Sequence, residues 1–178
     1  MQGFWICLVV VSGIFRDILY EKETRMMKFI SQSEKETMDL AQRLAKKLSS
    51  CDCLALVGDF GSGKTTFVKG LAAGLGFKKK SYVTSPSFVI LKIYRARLPL
   101  YHFDLYRLKS LKDMESAGLG EFTEARGISV IEWADRCLDF LPPGHLKLEF
   151  SVLGPNRRAI KFTTKNKRLI GVLKKCKI

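Results

Sequence analysis

The stretch Gly58-Asp59-Phe60-Gly61-Ser62-Gly63-Lys64-Thr65 decides the fold, because it fills every fixed position of the phosphate-binding P-loop pattern. Its glycines let the backbone curl around an anion with N–H groups pointing inward. A helix beginning at the loop aims the positive end of its dipole at the same place. Asp59, Phe60, Gly61, Ser62, Gly63, Lys64, Thr65 and Thr66 are therefore expected to hold a nucleotide. Lys64 would reach the β- and γ-phosphates, and Thr65 offers the hydroxyl that ligates Mg²⁺ between them. The flanks agree. Residues 54–57, Leu-Ala-Leu-Val, suit a buried strand, and over 66–75 Phe67, Val68, Leu71 and Leu75 recur at helical spacing.

Outward from that loop, a chain of 178 residues is long enough for one domain with a full core. An apolar content of 47% is that of an ordinary globular protein. The five cysteines match neither a zinc site nor a redox pair, since one residue separates Cys51 from Cys53, so reduced thiols and a cytoplasmic location are expected. A formal charge of +14 favours an acidic partner such as RNA. Much of the excess follows Pro142, in Lys147, Arg157, Arg158, Lys161, Lys165, Lys167, Arg168, Lys174, Lys175 and Lys177 against Glu149. A solvated basic face is the simpler account of it. Residues 3–15 form an uncharged apolar run, short for a membrane span and lacking the positive start of a secretory signal. Residues 1–27 are read as an apolar extension, a possible upstream start ahead of Met26 and Met27, and 28–178 as the domain.

Along the domain, residues 28–31 read as a strand, and Ser33-Glu34-Lys35-Glu36 has capping-box form at the start of a helix running towards residue 49. Gly74 and Gly76 are expected to close the P-loop helix. The hydroxyl-rich turn Val83-Thr84-Ser85-Pro86-Ser87-Phe88 resembles the segment of P-loop enzymes that senses the γ-phosphate or its metal, with Thr84, Ser85 and Ser87 on offer. Residues 88–94 and 98–106 read as an antiparallel pair. In the second run Tyr101, Phe103 and Leu105 alternate with His102, Asp104 and Tyr106, so Asp104 points away from the apolar row and His102 reads as a strand surface residue. Helices are expected from Ser110 to 118 and over 121–127. Ile128-Ser129-Val130-Ile131 is a compact apolar run that delivers Glu132 at its end, the form of the second metal-site motif of P-loop proteins. Trp133 reads equally as a core or rim aromatic and as a ligand contact. A second hairpin, over 146–153 and 159–163, and a basic helix over 166–175 complete the chain.

Taken together, these motifs resemble the bacterial TsaE ATPases of tRNA threonylcarbamoyladenosine synthesis, formerly called YjeE. The resemblance rests on the P-loop with Thr66, on Ser85-Pro86-Ser87, on Tyr101-His102-Phe103-Asp104-Leu105-Tyr106-Arg107-Leu108, and on Ile131-Glu132-Trp133. It covers roughly residues 28–150. It implies an α/β fold, a single P-loop NTPase domain whose mixed parallel/antiparallel sheet is flanked by helices, binding ATP and Mg²⁺. It also implies the partners TsaD and TsaB, which attach the threonylcarbamoyl group to adenosine 37 of tRNA, with hydrolysis resetting that complex. By the same resemblance Asp104 would orient or activate the attacking water, Glu132 would be the metal-linked carboxylate, and Thr65, Glu132 and Ser87 would form the metal set. The family usually carries Thr where this chain has Ser87, so the hydroxyl is kept and a methyl is missing. Arg107, Arg126 and Arg136 are candidates for a transition-state arginine, and slow turnover without partners is expected.

Three rivals are open to discrimination. A small-molecule kinase needs an acceptor pocket and an arginine-bearing lid, neither visible in the sequence. A GTPase needs Asn-Lys-x-Asp, and Asn166-Lys167-Arg168-Leu169 ends without the carboxylate. A nucleotide-gated docking module, with hydrolysis incidental, overlaps the favoured reading.

Overall fold

The structure, a computed structural model, describes residues 24–178 apart from 109, 119, 122–125 and 139–140. Its elements follow in chain order as β1 (Arg25–Ser31), α1 (Glu34–Ala45), β2 (Asp52–Val57), α2 (Lys64–Gly74), β3 (Leu91–Tyr94), β4 (Leu100–Asp104), α3 (Leu111–Ser116), β5 (Ile128–Glu132), β6 (Leu146–Val152), β7 (Arg158–Thr164) and α4 (Lys167–Lys175). The seven strands form one sheet in the order β1-β7-β6-β2-β5-β4-β3. The inner strands β6, β2, β5 and β4 are parallel, while β7, β1 and β3 join antiparallel at the two sides, giving the expected mixed sheet.

Why the inner strands sit inside is legible in their composition. β2 and β5 are apolar with little alternation, as strands buried on both faces must be, and all five residues of β5 are buried. On one face Leu54, Leu56, Val130, Leu148 and Ile160 pack against apolar residues of α1, α2 and α4. On the other, Cys53, Ala55, Phe103 and Ile131 pack against Met114 of α3 and Ala134 of a short 3-10 turn, Ala134–Arg136. Beyond β2 that second face opens, and Lys147 and Lys161 flank Glu149 there at 3.1 and 3.0 Å.

Helix ends follow local chemistry. Ser33 caps α1 by accepting from the Glu36 amide, while the Glu36 carboxylate reaches one residue further back, to the Gln32 amide. Ser110 and Asp113 form the complete capping box of α3. Asn166 caps α4, accepting from the Arg168 and Leu169 amides.

Several expectations are corrected. β1 begins at Arg25, because its whole length pairs with β7. Gly74 lies within α2, and Gly76, at φ +95°, makes the turn. Residues 88–90 are not strand. The Pro86 carbonyl accepts from the amides of Val89 and Ile90, so the chain coils tightly before β3. The helix expected over 121–127 and the apolar run of the first 23 residues lie largely or wholly outside the described residues. Among the described residues no helix is long and apolar enough to cross a membrane.

Candidate functional site

Parallel pairing puts the carboxyl ends of β2, β5 and β4 side by side. Leu56 is in register with Glu132, and Glu132 with Asp104, so both acids sit beside the loop that follows β2. A cleft of about 570 Å³ opens there. Phe60 to Thr66 line one wall, and Ser85, Ser87, Asp104 and Glu132 line the other.

The loop needs its glycines. Gly58, Gly61 and Gly63 have φ of 145°, 73° and 103°, which side-chain-bearing residues rarely adopt. A Cβ on Gly58 would also lie 2.6 Å from the Phe150 carbonyl of β6. Gly63 is the N-cap of α2 and contributes no side-chain cap, so the first amides of the helix are left for a ligand.

Lys64 is buried at the start of α2. Its Nζ donates to the carbonyls of Gly58 and Asp59 at 2.6 and 2.8 Å and lies 4.2 Å over the Trp133 ring. Burial lowers the pKa of this ammonium, against the pull of Glu132, Asp104, Asp135 and Asp59. Asp59 does not line the cleft, and its contribution is the carbonyl that Lys64 holds.

Thr65 Oγ1 donates to Glu132, 2.8 Å from Oε1 and 3.1 Å from Oε2. Glu132, 3% exposed, takes a second donor on Oε1 from His102 Nε2 at 2.9 Å. The reading of His102 as a surface residue is therefore corrected: it is fully buried. The alternation along β4 holds, but the face that His102 shares with Asp104 is covered by the α2 layer rather than by water. His102 Nδ1 has no partner among the described residues, and Nε2 faces a carboxylate oxygen that only accepts, so Nε2 is the donor.

Asp104 is buried beside this pair. Its Oδ2 accepts from the Ser85 hydroxyl, and its Oδ1 from the Tyr106 amide at 2.9 Å. Ser85 also accepts from the Ser87 amide at 3.3 Å, so the turn is tied to the acid. Thr84 turns away from the cleft, its hydroxyl accepting from Lys92 at 2.5 Å. Trp133 lines the cleft at φ 60°, a conformation costly for a bulky residue, and packs 5.0 Å from Tyr106. Of the three arginines considered, Arg107 alone lines the cleft, stacked 4.2 Å from the Phe88 ring. Arg136 donates to the Leu108 carbonyl, and Arg126 is exposed and outside the lining. Glu34 and Phe88 also line the cleft, and their only signal in the sequence is nearness to the capping box and to the hydroxyl-rich turn.

Comparison with known proteins bears directly on this arrangement. The family described as "Threonylcarbamoyl adenosine biosynthesis protein TsaE" matches residues 31–160, which span every element from the last residue of β1 into β7. The chain belongs to the TsaE family. A TsaE of Treponema pallidum is 38% identical over 134 residues, covering 75% of this chain and 98% of that protein. A TsaE of Bacillus subtilis is 37% identical over 145 residues, covering 81% and 89%. Both are named tRNA threonylcarbamoyladenosine biosynthesis proteins. The crystal structure of Bacillus subtilis YdiB superposes with a TM-score of 0.71 at 33% identity, covering 86% of this chain and 95% of that one. This TsaE-family chain thus carries the P-loop NTPase fold expected of it. The hard oxygen donors Thr65, Glu132 and Ser87 fit Mg²⁺, which takes few protein ligands and completes its shell with phosphate and water.

Proposed function

We propose that this chain is a Mg²⁺-dependent ATPase required for threonylcarbamoyladenosine modification at position 37 of tRNA, acting with TsaD and TsaB rather than performing the transfer itself. The observation that carries the reading is the meeting of Lys64, the Thr65–Glu132 pair and the Ser85–Asp104 pair in one cleft. Lys64 exchanges the Gly58 and Asp59 carbonyls for the β- and γ-phosphates, and its burial strengthens that attraction. Thr65 keeps its proton on Glu132, which leaves its oxygen lone pairs free towards the cleft. Mg²⁺, when bound by Thr65, Glu132 and Ser87, supplies charge neutralisation across the phosphates. Asp104, held by Ser85 and the Tyr106 amide, is the acceptor that orients water for in-line attack. Positioning and electrostatics carry such a reaction, so slow turnover alone is expected, with the partners completing the charge complement.

A reconstituted multiple-turnover modification assay tests this. Lys64→Ala should abolish nucleotide binding and modification, and Asp104→Asn should lower ATP turnover by about a hundredfold or more with binding retained. Modification that proceeds equally without the protein sinks the assignment. Phe60 and Phe88, 89% and 80% exposed at the cleft mouth, favour a second reading in which the nucleotide gates docking. Modification sustained by Asp104→Asn but lost with Lys64→Ala would select it.

A further inference from the structure

We propose that Arg158 is a further nucleotide-binding residue: a fixed cation that engages the inner phosphates of the nucleotide from the flank of the P-loop opposite Glu132. The inference rests on the nucleotide reading above and assigns a contact that none of the motifs contains. Arg158 opens β7 and is only 7% exposed. Ile160 and Phe162, two and four residues on, face α2, and by strand alternation so does Arg158. Among the described residues no hydrogen bond or ion pair engages its guanidinium. Glu149 of the neighbouring strand lies on the other face of the sheet, held there by Lys147 and Lys161.

An arginine cannot shed its proton, and a cation largely withdrawn from water with no acid paired to it is costly even where its nitrogens still touch solvent. The placement of this one adds to the cost. A Cβ built on Gly63 would lie 2.7 Å from Arg158 Nη1 and 3.2 Å from Cδ, so the guanidinium rests against the residue that opens α2. It therefore sits beside the positive end of an 11-residue helix, against the residue that immediately precedes Lys64. Lys64 feels the pull of Glu132, Asp104, Asp135 and Asp59, whereas among the described residues no acid is paired with Arg158, so one bound anion relieves this cation and the helix N-terminus together.

The strand order decides which part of the anion. Arg158 lies on the β7–β6 side of β2, whereas Glu132, Asp104 and the Ser87 turn lie on the β5–β4 side. The metal and terminal phosphate belong with the acids, so Arg158 meets the phosphates that ADP and ATP share.

Calorimetric titration of the full chain with ATP and ADP, for wild type, Arg158→Gln, Arg158→Lys and Lys64→Ala, tests the proposal together with thermal melts of each unliganded protein. Arg158→Gln should weaken ATP and ADP alike by about tenfold to a hundredfold, and Arg158→Lys by less. The unliganded melting temperature of Arg158→Gln should match or exceed that of wild type, because an uncompensated charge has been removed. Affinities for Arg158→Gln within about twofold of wild type, with Lys64→Ala unable to bind, would overturn the proposal and leave the nucleotide site standing. Loss confined to ATP would refute the inner-phosphate placement. A melting temperature lowered in both Arg158 variants would instead make the residue a prop for the loop, and overturn the proposal. If wild type binds neither nucleotide, this inference and the nucleotide reading fall together.

Discussion

Glu132 accepts from Thr65 and His102 on the same oxygen, so its orientation is fixed before any ligand arrives. The His102 donor is buried with it, and truncating one partner of a buried hydrogen-bonded charge leaves the other uncompensated. His102→Phe should therefore cost about 1–3 kcal/mol in urea unfolding, with His102→Gln recovering part of it. An unchanged midpoint for His102→Phe would show that the contact carries nothing. That Lys64, Thr65 and Glu132 share one cleft was legible from the P-loop pattern and from a carboxylate ending a buried strand, and that Asp104 joins them was legible from the family resemblance. His102 was not. Its alternation with Phe103 was read correctly, but alternation cannot say whether the second face meets water or a helix. Arg158 was one cation among ten in a basic tail, and its burial depends on a glycine 95 positions earlier, at Gly63 (158 − 63).

At the scale of elements, α2 carries the loop and is clamped against α1 through Gly70 and Gly74. A Cβ at Gly70 would stand 2.4 Å from the Met38 carbonyl and 2.6 Å from the Ala41 Cβ. Alanine would recover about 1 kcal/mol of helix propensity, but backbone cannot yield as a flexible side chain does, so the clash wins. Gly70→Ala should lower the melting temperature by roughly 3–8 °C, measured by circular dichroism. A rise would mean that the two helices can separate without loss. The sequence expectation of α2 held because Phe67, Val68 and Leu71 repeat with the helical period, and β2 and β5 held because they are short unbroken apolar runs. The expected strand over 88–94 failed in its first half. Its apolar residues have strand composition, yet the Pro86 carbonyl claims two amides that a ladder would need.

Across the whole molecule, the sheet joins a tightly paired inner part to a basic, half-open side formed by β6, β7 and α4. His145 enters β6 there, and burial lowers its pKa from 6.5, helped by Lys147 and opposed by a contact with the Pro142 carbonyl. Above 6.5 the ring is neutral in both folded and unfolded states, and its contribution is complete. Below 6.5 the unfolded chain takes up the proton first, so stability falls with pH until the folded ring also titrates. The unfolding midpoint of wild type should therefore drop more than that of His145→Gln between about pH 7.5 and 5.5. Parallel pH profiles would rule this out. The mixed character of the sheet was expected from family resemblance, whereas strand order is beyond periodicity, since each strand reads alike whichever neighbour it has. That order also has a consequence for synthesis on the ribosome. β2 pairs with β5 and β6, Gly58 is backed by Phe150, and β1 finds its partner in β7. A nascent chain that has released its P-loop still lacks the floor, the side wall and the outer brace of that loop. The cleft around the loop can therefore close only after β7 has cleared the exit tunnel, which makes its assembly a late event in synthesis.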